Sequence, residues 1–88
     1  MANIKSAEKR IEQSAKQRAR NRGQRSRMRS AVREVRAAID EGDQKKAEEL
    51  LATTLSIVDV TARKNVIHAN AAARTKSRLT RAVGQMAD

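Results

Sequence analysis

The sequence predicts an all-α protein, an up-down-up three-helix bundle whose long first helix extends beyond the bundle. Three observations carry this. The 88 residues contain no proline and three glycines, against an abundance of Ala, Arg, Glu, Lys and Leu, which favour helix. Apolar residues recur at steps of three and four, the spacing of one helical face. The segment Asp40-Glu41-Gly42-Asp43 joins a glycine suited to closing one helix to an aspartate suited to capping the next.

Helix one is expected from about Asn3 to Asp40, with Met28, Val32, Val35 and Ile39 as its apolar stripe. Helix two runs from Asp43 to about Lys64 and carries Ala47, Leu50, Leu51, Leu55, Val58 and Ala62. Asn65 suits the left-handed geometry that ends a helix, and Val66 and Ile67 are placed to cover the end of the core. Helix three, from about Ile67 to Met86, presents Ala72, Thr75, Leu79, Ala82, Val83 and Met86. Short connections make neighbouring helices antiparallel. So many Ala, Val and Thr at core positions predict close helix approach and modest internal stability.

At 1.5 Å per residue, helix one spans roughly 55 Å and the others about 30 Å each, leaving an overshoot of about 25 Å. The overshoot falls on Glu12–Arg27, which has no aliphatic residue larger than alanine and therefore no stripe to bury. The chain thus divides within one domain into a basic N-terminal part, residues 1–27, and a bundle, residues 28–88. The first part is expected to lack tertiary contacts and to depend on an outside partner for order.

That partner is negative. The chain carries twenty Lys+Arg against ten Asp+Glu, a net charge of +10. Residues 1–36 hold twelve basic and three acidic residues, a net of +9; residues 37–60 have a net of −4, and residues 61–88 a net of +5. The acidic block surrounds the first turn, which should face away from a polyanion. Projected at 100° per residue, helix one shows two basic lines. Arg18, Arg22, Arg25, Arg29, Arg33 and Arg36 form one; Lys9, Lys16, Arg20 and Arg27 form the other, roughly 160° away. The acids that normally lace a solvated basic face are missing, which favours phosphate binding. Opposed lines suggest a helix lying between two nucleic-acid segments. Arginine outnumbers lysine, which suits bidentate phosphate recognition and folded RNA. Arg74, Arg78 and Arg81, with Lys76 beside them, add a shorter basic face on helix three, and Lys64 stands at the close of helix two.

Other classes are excluded. With no Phe, Tyr or Trp, the chain has no stacking platform of the kind that RNA-binding sheets and oligonucleotide-binding barrels use. With no Cys and a single His, a structural zinc site is untenable, and no metal or cofactor is expected. No acid pair, His–carboxylate arrangement or glycine-rich phosphate loop supports catalysis, so an enzyme is not expected. His68, near a helix start, reads as a cap or surface residue. Gly23 either allows close RNA approach, marks a bend or is simply tolerated. No apolar run approaches a membrane span and no signal-peptide core follows Met1, so a cytoplasmic location is expected. A membrane-surface helix would need an apolar face within the basic region. The alternative reading is a nucleoid-type or other general DNA/RNA-binding helical protein. The Met28–Ile39 seam covers fewer than two heptads, too short for a zipper.

The opening Met-Ala-Asn-Ile-Lys-Ser-Ala-Glu-Lys-Arg, the Arg/Lys-rich run with Asn21, and the Ala-Ile-Asp-Glu-Gly-Asp turn resemble the bacterial small ribosomal subunit protein twenty family. So does the segment Val66-Ile67-His68-Ala69-Asn70-Ala71-Ala72-Ala73-Arg74-Thr75-Lys76-Ser77-Arg78-Leu79. The resemblance covers essentially the whole chain. It implies a structural, non-catalytic protein that is monomeric in the small subunit, has few or no protein neighbours, binds small-subunit (16S) rRNA at two or more segments, and aids assembly. By the same resemblance Asn3, Lys5, Ser6, Lys9, Arg10 and Gln13 would engage RNA at the helix start, and His68, Asn70, Arg74, Lys76, Ser77 and Arg78 from helix three. Family members typically carry glycine where Asn65 stands and lysines where Ala69, Ala71 and Thr75 stand.

Overall fold

Three helices run antiparallel to their neighbours in the computed structural model, which describes residues 2–86, with side chains from residue 6 onward: α1 (Ala2–Glu41), α2 (Gln44–Arg63) and α3 (Ala69–Gln85). The expected all-α bundle with a long first helix is therefore observed, each boundary within about two residues of its expected place. The molecule measures 67 × 21 × 14 Å, and its long dimension is the length of α1.

Both turns are closed by the same device. After α1, Gly42 takes φ 76°, so that its N–H donates to the Ile39 carbonyl and that of Asp43 to Ala38. Asp43 then caps α2, its carboxylate accepting from the Lys46 N–H at 3.1 Å. After α2, Asn65 takes φ 61°, its N–H donating to Ala62 and that of Val66 to Thr61, the paired bonds of a left-handed helix stop. Asparagine tolerates this region where other side chains are strained. Asn65→Ala is expected to cost about 1 kcal/mol, whereas Asn65→Gly is close to neutral; equal urea midpoints for the two variants would contradict this.

The core is small and made of small side chains. Val35, Ala38, Ala47, Leu79 and Val83 form its centre, with Val32, Ile39, Leu50, Leu51 and Met86 packed around them. Every expected stripe residue is at least partly buried, but the most deeply buried face of α2 includes two residues the aliphatic pattern passes over. Thr54 is 1% exposed and Thr61 0% exposed. Each satisfies its hydroxyl by donating to a backbone carbonyl, Thr54 to Ala31 of α1 at 3.3 Å and Thr61 to Ile57 at 2.7 Å. A side chain this short lets α1 and α2 approach closely, and the hydrogen bonds offset the cost of burying the hydroxyls.

Contact along α1 also begins earlier than the aliphatic stripe. Asn21 and Gln24 are partly buried, and Gln24 Nε2 donates to Thr61 Oγ1 at 2.9 Å. The expectation that nothing before Met28 meets the rest of the chain is corrected here: the seam continues at the same three-and-four spacing, but in amide side chains. Toward the N-terminus from there, residues 6–20 are all exposed. α1 packs mainly on α2 and α2 on α3, while α1 and α3 touch least.

Candidate nucleic-acid interface

The core seam of α1 fixes where its charges go. Val35 and Ala38 are buried and Ala31 faces Thr54, so residues about 100° to either side of that line flank the neighbouring helices. On one flank Met28, Arg29, Val32, Arg33 and Arg36 share a shallow groove of about 340 Å³ with Thr75 of α3. The line Arg18–Arg22–Arg25–Arg29–Arg33–Arg36 therefore lies on the α3 side. All six residues are exposed, and their line covers about 27 Å of helix. Lower on this line, Arg18, Arg22, Arg25, Ser26 and Arg29 surround a second hollow of about 220 Å³. One basic track thus runs from the free part of α1 into the bundled part.

Helix α3 borders the same track. Thr75 faces the groove, and helical spacing puts Arg78 on the edge toward α1, with Arg74 and Arg81 further around the outer surface. Lys76 lies on the opposite edge, where its Nζ donates to Asp59 of α2 at 2.7 Å. Both partners are substantially exposed, so this ion pair is worth little and a phosphate competes with it at small cost. Asn70 and Ser77 are exposed on α3. His68 caps α3, its Nδ1 accepting from the Asn70 N–H at 3.0 Å, which leaves the outer edge of the ring facing solvent.

The second basic line, Lys9, Lys16, Arg20 and Arg27, is exposed on the α2 flank. Its Arg20 reaches a cleft of about 590 Å³ at the corner between α1 and the α2–α3 turn, lined by Gln17, Arg20, Asn21, Gln24, Lys64 and Val66. Gln17 and Gln24 are polar residues at this corner that a reading by charge alone passes over; their signal is continuation of the Met28–Val35 seam at steps of four and three. Ser6, Arg10 and Gln13 are exposed nearer the N-terminus. Asn3 and Lys5 lie outside the described side chains. A Cβ added at Gly23 meets nothing within 4 Å, and α1 runs unbroken through it.

At the far end Glu34, Asp40, Glu41, Asp43, Glu48 and Glu49 are exposed. The molecule is therefore an electrostatic dipole along its long axis, basic over α1 and acidic around the α1–α2 turn. Such an arrangement orients the chain on a polyanion before contact. Among the described residues no group of His, Cys, Asp or Glu is placed to hold a metal ion, and no helix is long and apolar enough to cross a membrane.

Residues 2–84 match the family model described as ribosomal protein S20. Relatives named small ribosomal subunit protein bS20 cover nearly the whole chain. That of Nitrosomonas eutropha is 50% identical over 86 residues, 98% of this chain and 99% of the relative. That of Mycolicibacterium vanbaalenii is 49% identical over 83 residues, 94% of this chain and 96% of the relative. That of Nitratidesulfovibrio vulgaris is 48% identical over 86 residues, 98% of this chain and 99% of the relative.

Proposed function

Because the chain belongs to the ribosomal protein S20 family of small-subunit ribosomal proteins, we propose that its two basic lines bind 16S rRNA directly and that it aids subunit assembly. One observation supports this above the rest: residues 6–20 of α1 are exposed throughout, yet carry Lys9, Lys16 and Arg20 of one line and Arg18, the start of the other. A helix that spends fifteen residues outside its own bundle gains nothing from the fold for doing so. Residues 1–27 form the basic RNA-contacting part of α1, and Arg29, Arg33 and Arg36 carry the same track onto the bundle of residues 28–88.

The two lines lie on opposite flanks of α1, so a single RNA surface reaches one of them. Two RNA segments, one on each flank, engage both. The protein then links rRNA segments, which is how a small non-catalytic chain promotes assembly. Most contacts are to phosphate and sugar, so the RNA is recognised by its backbone path more than by its sequence.

Affinity for small-subunit rRNA is expected to fall linearly on a log–log plot against salt. If six to ten phosphates are neutralised, the loss is about 10³- to 10⁵-fold between 50 and 200 mM. Equal affinity for rRNA and for bulk duplex DNA at physiological salt would favour a general nucleic-acid binder and overturn the rRNA reading.

A further inference from the structure

We propose that the corner cleft between α1 and the α2–α3 turn seats a single unpaired RNA nucleotide, held by Arg20 and Lys64 from its two walls and read by the amides of Gln17, Asn21 and Gln24. The proposal rests on the reading above that the protein binds rRNA, and adds a discrete pocket to it.

The cleft is built from both sides of the fold. Arg20, on α1, and Lys64, at the close of α2, are both exposed. Among the described residues neither is engaged in a side-chain hydrogen bond or ion pair, whereas Lys76 and Asp59 are. The left-handed turn at Asn65 ends α2 immediately after Lys64 and so opens the corner. The volume of about 590 Å³ lies within the range of small-ligand sites, roughly 300–1,000 Å³.

The floor is chemically unlike the flanks. Gln17, Asn21 and Gln24 follow one another at steps of four and three, on the line that becomes Met28 and Val35 inside the bundle. They therefore point the way the core points, at the level where α2 ends and Val66 is the last core residue beside them. Each amide offers donors and an acceptor, the complement of a base edge or a ribose 2′-hydroxyl. Gln24 is already oriented: its Nε2 donates to Thr61 Oγ1 at 2.9 Å, and among the described residues its Oε1 accepts from no other side chain. A paired base hides these edges, whereas a nucleotide turned out of a loop or bulge presents them. The chain has no aromatic platform for such a base, and the planar guanidinium of Arg20 offers a stacking face instead.

The test compares two double variants of the full chain on small-subunit rRNA, by affinity across a salt series and by chemical footprinting of the RNA. Gln17→Ala with Asn21→Ala is expected to weaken binding about 10-fold with the salt slope unchanged. It also exposes one or two unpaired nucleotides that the parent protein protects. Arg20→Gln with Lys64→Gln is expected to reduce the salt slope by about 1.5 and to expose the same nucleotides. Unchanged protection in the first variant, or protection lost evenly along the whole footprint, overturns the pocket while the rRNA reading stands. Failure of the parent protein to bind rRNA overturns both. Circular dichroism melting keeps the result clear of misfolding, since Gln17 is exposed, Asn21 is only half-buried, and alanine favours helix at both positions.

Discussion

Replacing Arg18, Arg22 and Arg25 together by glutamate is expected to abolish rRNA binding and to leave the bundle folded. The three side chains are exposed on the α3 flank of α1 and, with Ser26 and Arg29, surround a hollow open to solvent. None is bound to another side chain among the described residues, and glutamate is nearly as good a helix former as arginine, so the fold loses little. An exposed change of this kind stays within about 0.5 kcal/mol per site, and the melting midpoint should move by only a few degrees. Binding loses far more. Charge-assisted hydrogen bonds are worth about 1.5–3 kcal/mol each, and reversal adds repulsion, so a loss beyond about 10³-fold is expected. A filter-binding titration and a thermal melt on the same sample decide it. Retained affinity would place the RNA elsewhere; a collapsed melt would make these arginines part of the fold.

How far the sequence foretold this structure depended on which physical signal each residue gives. Gly42, Asp43 and Asn65 mark the turns because their backbone preferences are local, and they stand where those preferences place them. Aliphatic side chains mark the seam because burial is what they contribute. Thr54 and Thr61 were illegible as core: threonine reads as polar, and only the structure supplies the carbonyl that satisfies each hydroxyl. Gln24 is illegible as a packing residue for the same reason, its partner lying on another helix. The two basic lines are a property of helix one alone, so periodicity is enough to find them. Which line faces α2 and which faces α3 depends on the hand of the bundle, and no spacing within one helix carries that information. The corner cleft was likewise out of reach, because its walls come from α1 and from the far end of α2.

The smallness of the core predicts the second large effect. Leu79 is 2% exposed at the centre of the bundle, whose largest fully buried side chains are valine and threonine. Leu79→Ala is expected to cost about 2–5 kcal/mol. A core of this size supplies a net stability of only about 3–5 kcal/mol, so the free variant should be largely unfolded at 37 °C. RNA that binds only the folded chain stabilises it in proportion to the logarithm of its concentration, by about 2.7 kcal/mol at one hundred times the dissociation constant. The variant should therefore regain a cooperative melt on a saturating rRNA fragment. Its midpoint should rise by about 10 °C or more, and that of the parent protein should rise comparably. Helical signal at 222 nm, followed with and without RNA after subtraction of the RNA signal, reads both. A variant that stays unfolded on RNA the parent binds tightly, with the parent's own midpoint unmoved, would show that the RNA binds the unfolded chain as well and lends the bundle no stability. Recovery of the melt would show that the stability this chain lacks internally is supplied by the RNA that occupies the flanks of α1.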